Sequence, residues 1–219
     1  MIWPLKLAQW AAVGQTTQHI IRPDSNPVPI MALKVYVVDN GGQWTHREWR
    51  VLRDIGADCK MVPNTTPLEE LDVDGLVLSG GAPRIGTESM KLGRTAEYLD
   101  KAKFPIFGIC VGMQFIAFHH GGSAGPAEVP EFGKVELFVD EPDTLFKGLP
   151  KKFIAWESNN DEVKVLPKEF EVLAHSDNCM VQAFCHKKKP LFATQFHPEV
   201  EQTENGYEIF KNFLVICKK

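Results

Sequence analysis

The sequence predicts an α/β fold, in which helices flank a doubly wound and mostly parallel sheet and short antiparallel strands are added in the second half. Three observations predict it. From residue 33 to residue 122, short apolar runs alternate with helical patterns, as in proteins built on a parallel sheet. These runs are apolar throughout, which is typical of strands that are covered on both faces. After residue 122 the pattern changes to short strands and turns.

The composition is that of a soluble globular protein. The 219 residues carry a net charge of −4, and 44% of them are apolar, which is enough for one substantial core. Mild acidity argues against nucleic acid as a partner, since such binding normally needs a basic face, and we expect no membrane partner either. The five cysteines are an odd number without metal-ligand spacing, so we expect a reducing, cytoplasmic location and no metal site.

Residues 1–30 differ from the rest of the chain. They hold four prolines and show neither alternation nor a helical period. Lys6, Gln9 and Trp10 interrupt any apolar run, so the segment does not match a secretory signal peptide. We expect a leader outside the fold, either disordered or the result of an upstream start, because Met31 stands directly before the first strand-like run. The folded domain is then residues 31–219.

The first half of the domain contains four candidate strands and three candidate helices. The strands are residues 33–39, 58–62, 75–78 and 104–109. The helices are residues 43–55, residues 89–101 and the segment from residue 111 to the stop at residues 121–122. The inward face of the first helix is Trp44, Val51, Leu52 and Ile55. Ligands bind at the carboxyl ends of the strands in such sheets, so we expect the site at that edge.

The second half contains shorter candidate strands and one helix. The strands are residues 135–139, 153–156, 170–175, 180–184 and 191–196. Residues 202–217 form the last helix. Its predicted inward face is Tyr207, Phe210, Phe213, Leu214 and Cys217.

Cys110 stands where the strand at residues 104–109 turns directly into a helical pattern. Gly108 and Gly112 flank it and allow a sharp turn, as in the Gly-x-Ser-x-Gly elbow that exposes a nucleophile. A thiol at the start of a helix meets unpaired N–H groups and the positive end of the helix dipole, which favour a thiolate and an oxyanion. A buried structural cysteine is the alternative, and this pentad alone favours neither interpretation.

A second stretch, residues 194–200, favours the catalytic interpretation. His197 and Glu199 are two residues apart after a strand-like run, and Pro198 between them stiffens the loop. A lone histidine after a strand is more often structural than catalytic. An elbow cysteine together with a histidine beside a carboxylate, however, supplies a nucleophile, a base and a group that orients the base.

Both stretches resemble the signatures of class I glutamine amidotransferases, at residues 108–114 and 196–199. The resemblance implies that the Cys110 thiolate attacks the side-chain amide of glutamine. It implies that His197 is the general acid and base and that Glu199 orients its ring.

The resemblance also implies an oxyanion loop and a glutamine pocket. Gly80 and Gly81 form the loop, and the N–H group of Val111 is a second oxyanion donor. Family loops usually have proline directly after the second glycine, whereas Ala82 stands there in this chain. This departure bears on the direction of the Gly81 N–H, and a loop that changes conformation is one way to keep a glutaminase idle. The glutamine pocket is implied at Gln114, Ser158, Asn159, Asn160 and Asp161.

Within the family, residues 38–46, 62–70 and 161–167 resemble the glutaminase subunits of two-subunit GMP synthetases. This resemblance implies that ammonia passes to XMP on a separate ATP-pyrophosphatase subunit, which holds ATP and magnesium, and that this chain has no cofactor of its own. The same module serves anthranilate, aminodeoxychorismate and carbamoyl-phosphate synthases, so other acceptors stay open. The remaining alternatives are a γ-glutamyl hydrolase, a peptidase-like protein and a non-catalytic, glutamine-binding regulatory subunit.

Overall fold

The computed structural model describes residues 32–218, and the leader expected at residues 1–30 lies outside them. The prediction about that segment therefore stays a prediction. Within the described residues there are nine strands: β1 (Val35–Asp39), β2 (Met61–Pro63), β3 (Gly75–Leu78), β4 (Ile106–Ile109), β5 (Ser123–Val139), β6 (Lys152–Val165), β7 (Phe170–His175), β8 (Ala183–His186) and β9 (Leu191–Thr194). The α-helices are α1 (Thr45–Asp54), α2 (Ile85–Glu88), α3 (Thr95–Lys101), α4 (Val111–His119) and α5 (Gly206–Cys217).

The described strands form one sheet in the order β2-β1-β3-β4-β9-β8-β7-β5-β6. The five strands from β2 to β9 pair in parallel, and those from β9 to β6 pair antiparallel. The predicted fold class, a mostly parallel sheet flanked by helices with antiparallel strands from the second half, is thereby confirmed. The parallel strands bring residues 39–42, residues 79–81 and Cys110 to one edge of the sheet.

Two groups of buried side chains form the core, on either side of the sheet. One group packs α5 against the sheet, with the ring of Phe107 close to two phenylalanines of the helix: the ring centroids are 5.8 Å from Phe210 and 5.4 Å from Phe213. The other group packs α4 and α3 against the opposite face and includes Leu78, Tyr98 and Ile116. Buried side chains on both faces explain why the central strands are apolar throughout.

The long hairpin of β5 and β6 is the largest difference from the predicted elements. Only residues 135–139 and 153–156 were expected to be strands, whereas β5 has 17 residues and β6 has 14. Proline and glycine at residues 125, 126, 130 and 133 interrupt the alternation that marks a strand, and the pairing register shifts between Pro126 and Glu131. An antiparallel pair tolerates such residues at a bulge, so pairing continues where the local pattern stops.

Two further predictions about helices need correction. The helix expected at residues 89–101 is instead a 3-10 turn at Ser89–Leu92 followed by α3 at Thr95–Lys101, because Gly93 adopts a positive φ of 55° between the two. On α5, Tyr207 was expected to face inward but is 45% exposed, since it lies off the helix face that carries the buried residues Gly206 and Phe210. Phe210 and Phe213 are buried as predicted.

No helix among residues 32–218 combines the length and the apolar character needed to cross a bilayer.

We expect Phe213→Ala to lower the free energy of unfolding by about 3–5 kcal/mol, because it removes a fully buried ring that contacts Phe107. Tyr207→Ala on the same helix is the matched control and should cost less than about 1 kcal/mol, since its ring is half in solvent. Denaturant unfolding of both variants measures the difference. Equal losses would contradict the assignment of the inward face of α5.

Candidate active site

Cys110 lies between β4 and α4 with a left-handed backbone, at φ 51° and ψ −107°. Such a conformation is rare for a residue other than glycine and costs roughly 1–3 kcal/mol. The flanking glycines make the corner sterically feasible. A Cβ atom on Gly108 would lie 2.8 Å from the backbone of Gly112, so α4 can start this close to β4 only without side chains there. The predicted sharp corner is therefore present.

His197 and Glu199 follow β9 in a buried loop. His197 Nδ1 and Glu199 Oε1 are 2.7 Å apart. The loop is fixed from β6, because the N–H of His197 donates to the Trp156 carbonyl (3.0 Å) and the Thr203 hydroxyl donates to the His197 carbonyl (2.6 Å). The indole of Trp44 packs edge-on against the imidazole, with ring centroids 4.5 Å apart. The imidazole is thus held on several sides.

The electrostatics of this loop favour a charged imidazole. Burial opposes the charged ring, but the negative charge of Glu199 and the hydrogen bonds to Cys110 and Glu199 outweigh it and raise the pKa of His197 well above its ordinary value. Since Nδ1 is engaged by Glu199, Nε2 is the nitrogen left for the sulfur.

The loop predicted to bind the oxyanion, residues 79–82 and called the oxyanion loop below, follows β3 at the same edge of the sheet. A Cβ atom on Gly80 would lie 3.2 Å from His197 Cε1 and 3.6 Å from Cys110 Cβ, so this glycine touches both reactive side chains. A Cβ atom on Gly81 would lie 2.5 Å from the Asn40 carbonyl, so glycine is required there as well. Neither the Gly81 N–H nor the Val111 N–H donates to an acceptor among the described residues. Both donors are therefore free for a ligand.

The residues predicted to bind glutamine surround one cavity of about 270 Å³ that reaches Cys110. Gln114 fixes one wall, because its Nε2 donates to the Asp161 carbonyl (2.8 Å) and to Gln195 Oε1 (3.1 Å). Gln195 Nε2 in turn lies 3.6 Å from Cys110 Sγ. The predicted residues that line this cavity are Gly81, Cys110, Val111, Gln114, Ser158, Asn159, Asn160 and Asp161.

A second cavity, of about 330 Å³, is also lined by Cys110. Gly80 and His197 line it, as do Trp44, directly before α1, and Glu48 within α1. Cys110, Gly81, Ala82 and Ser158 belong to both cavities. The two cavities therefore meet at these four residues.

Several residues at the site were not predicted from the sequence. Glu48 and Glu157 are buried carboxyls next to the imidazole, with exposed fractions of 1% and 0%. Burial and the neighbouring charge of Glu199 raise the pKa of Glu48 well above its ordinary value, and burial raises the pKa of Glu157 in the same way. Glu48 did carry a signal, because it lies four residues after Trp44 on the inward face of α1. Gln195 and Arg84, which lines the glutamine cavity, were also missed.

Comparison with known proteins identifies the family. The family model for glutamine amidotransferase class-I matches residues 36–217. The chain belongs to this family. It is 56% identical to the A subunit of a glutamine-hydrolyzing GMP synthase of Thermoplasma volcanium over 190 residues, which are 86% of this chain and 94% of the relative. The relative of the same name from Thermoplasma acidophilum is 56% identical over 84% of this chain and 93% of its own length.

A solved structure shares both the sequence and the fold. It is the crystal structure of a Thermoplasma acidophilum protein assigned as the A subunit of a GMP synthase, at 56% identity and a TM-score of 0.82, covering 85% of this chain and 94% of that one. The predicted resemblance to class I glutamine amidotransferases, and within them to the glutaminase subunits of GMP synthetases, is confirmed. The roles predicted for single site residues are not tested by these comparisons and stay predictions.

Glu199→Gln should lower the pKa of His197, because it removes the negative charge that stabilises the protonated ring. A ring pKa raised above the unfolded value of about 6.5 contributes stability that is fully present below that pH and is lost as pH rises through the folded pKa. Glu199→Gln should lack this pH-dependent part of the free energy of unfolding. NMR titration of the ring and unfolding at several pH values measure both effects.

The control for this prediction is Glu201→Gln, which removes an exposed carboxylate two residues away. It should leave the His197 titration unchanged. An unaltered His197 pKa in Glu199→Gln would contradict the proposed ion pair.

Proposed function

We propose that this protein is the glutaminase subunit of a GMP synthetase, which hydrolyses glutamine and delivers ammonia to a separate synthetase subunit. One observation carries the proposal: Cys110 lies at a strained corner beside His197, whose ring is bound to Glu199, and the cysteine and the histidine border the cavities described above. The names of the relatives support the choice of synthetase. Because those relatives are named as A subunits, their names also support a second subunit.

Unsatisfied polar atoms in the glutamine cavity support glutamine as its ligand. Asn159 Oδ1 and Asp161 Oδ1 are buried acceptors without a partner among the described residues. An α-ammonium group supplies the donors that such acceptors lack. Arg84 lies in the wall of the same cavity and carries the charge that suits an α-carboxylate. Glutamine bound by these groups would extend its side-chain amide toward Cys110.

In the first half of the reaction, the Cys110 thiolate attacks the side-chain amide carbon and a carbon–sulfur bond forms. The negative charge that develops on the amide oxygen is stabilised by the free N–H groups of Gly81 and Val111. His197 donates its proton to the amide nitrogen, the carbon–nitrogen bond breaks and ammonia leaves. A γ-glutamyl thioester remains on Cys110, with His197 neutral.

In the second half, neutral His197 takes a proton from a water molecule, and the oxygen attacks the thioester carbon. The same two N–H groups stabilise the second tetrahedral intermediate. The carbon–sulfur bond then breaks and glutamate leaves. The Cys110 thiolate and the His197 imidazolium are regenerated. Glu199 keeps the ring aligned through both halves by holding Nδ1.

The reaction of ammonia with its acceptor takes place on the partner subunit. We propose that the second subunit is an ATP-pyrophosphatase that holds ATP and magnesium and activates XMP as an adenylate for attack by ammonia. Gating by that subunit fits the oxyanion loop, in which two glycines can change conformation with little steric cost. The isolated chain should then hydrolyse glutamine slowly, and its rate should rise when the nucleotide-loaded partner binds.

Cys110→Ala should lower the rate of glutamine hydrolysis by at least about 10⁴-fold, because no other group can form the thioester. Assays use the chain alone and with its synthetase partner, and measure ammonia and glutamate. Synthesis of GMP from added ammonia should persist in the complex with this variant. Mass spectrometry of the wild-type protein quenched during turnover should find a γ-glutamyl adduct on the peptide that contains Cys110.

Cys185→Ala is the control, since this half-buried cysteine of β8 lines neither cavity, and it should keep wild-type activity. Glutamine hydrolysis that survives in Cys110→Ala would refute the mechanism. Ammonia production without any GMP formation in the complex would refute the choice of synthetase while leaving the glutaminase in place.

A further inference from the structure

Glu48 occupies a position that neither the fold nor the proposed reaction accounts for. It lies on the inward face of α1 and is 1% exposed, whereas Arg47 and Arg50 on the outer face are in solvent. A glutamate is almost never buried to this degree unless it has a partner. Its Oε1 accepts a hydrogen bond from the Gly80 N–H at 3.3 Å, and its Oε2 has no partner among the described residues.

The bond from Gly80 matters because the conformation of the oxyanion loop depends on hydrogen bonds. Glycine has no Cβ atom, so sterics alone do not select one conformation at residues 80 and 81. The Gly80 carbonyl accepts from the Ser79 hydroxyl at 2.8 Å. Since the peptide unit is planar, fixing that carbonyl also fixes the direction of the Gly81 N–H. The Glu48 carboxyl binds the N–H group of the same residue, Gly80.

We propose that Glu48 is a positioning residue for the glutaminase reaction. Its carboxyl accepts a hydrogen bond from the Gly80 N–H and thereby holds the Gly81 N–H in the direction of the oxyanion. This inference rests on the proposed glutaminase function and adds to it the residue that aligns the oxyanion loop. In this role Glu48 does not touch glutamine. It acts through the backbone of residues 80 and 81.

The charge around Glu48 is consistent with a neutral acid in this role. Glu199, His197 and Cys110 are the titratable groups that face it, from the loop after β9 and from the start of α4. Burial and the charge of Glu199 disfavour a second carboxylate there. A neutral carboxyl can still accept from Gly80 through Oε1, with its proton on Oε2. The variant Glu48→Gln reproduces this arrangement, because its side-chain amide oxygen is also an uncharged acceptor.

The location of Glu48 predicts which kinetic constant it affects. It lines the cavity that contains His197 and Trp44, and it is not among the residues of the cavity that contains Gln114 and Asn159. Binding of glutamine should therefore not depend on it. Stabilisation of the oxyanion, which exists only during the reaction, should depend on Glu48. Loss of its carboxyl should therefore lower kcat and leave the KM for glutamine nearly unchanged.

The test compares Glu48→Gln with Glu48→Met in the full chain, assayed with its synthetase partner. Glu48→Met removes the acceptor and should lower kcat by about 10-fold to 10³-fold, the upper value being that for complete loss of one oxyanion donor. The KM for glutamine should change less than about 3-fold, and Glu48→Gln should retain kcat within about 3-fold. Equal kcat values for the two variants, or a loss confined to KM, would overturn the proposal.

Glu157 provides the matched control, because it is another fully buried carboxyl beside His197 but makes no hydrogen bond to the oxyanion loop. Glu157→Gln and Glu157→Met should have similar kcat values. Alkylation of Cys110 by iodoacetamide needs no oxyanion donor, so its rate should be the same in Glu48→Met and in the wild-type protein. A difference between the Glu157 pair as large as that between the Glu48 pair would overturn a specific role for Glu48.

A second measurement covers the case in which Glu48→Met does not fold. The amide shift and hydrogen exchange of Gly80, followed by NMR, should respond to Glu48→Asp, whose carboxyl is too short to reach the N–H, and should not respond to Glu157→Gln. An unchanged Gly80 amide in Glu48→Asp would contradict the contact. A wild-type protein that never hydrolyses glutamine would instead refute the proposed function, and the Gly80 measurement would still decide the contact.

Discussion

One buried imidazole has to balance the charges of the whole site. His197 and Glu199 are about 5% and 4% exposed, and their side chains meet at 2.7 Å. Glu48 and Glu157 are two more carboxyls buried near the same ring. An unpaired charge in such surroundings costs several kcal/mol, so a single imidazolium cannot support three carboxylates. The raised pKa values of Glu48 and Glu157 follow, and the positive charge of the ring is left for Glu199.

The backbone around Cys110 is the second constraint, and it sets the distance from the nucleophile to the base. The Cys110 N–H donates to the Thr194 carbonyl at 2.8 Å, which continues the parallel pairing of β4 with β9 into the corner itself. His197 comes three residues after that carbonyl. Because the two strands are in register, the chain delivers the sulfur and the imidazole to the same edge of the sheet. The strain in Cys110 persists because the surrounding sheet and helix over-determine its conformation.

Much of the fold and the reactive centre could be predicted because each depends on local patterns. The apolar runs predicted the parallel strands, and the glycines beside Cys110 predicted the corner. The hairpin of β5 and β6 could not be predicted in full, because its pairing continues through Pro126 and Gly133 by contacts with a distant strand. Glu48 and Glu157 break the apolar pattern of their elements, and the meaning of such a break depends on residues far away in sequence.

The same hairpin explains why the parallel half of the sheet is not sufficient for the site. β6 anchors the base, since the Trp156 carbonyl accepts from the His197 N–H, and the Trp156 N–H donates to Thr203 Oγ1 at 3.0 Å. Two residues later, β6 supplies Ser158 and then Asn159 to the wall of the glutamine cavity. One continuous strand thus carries both the support of the imidazole and the residues proposed to contact the substrate.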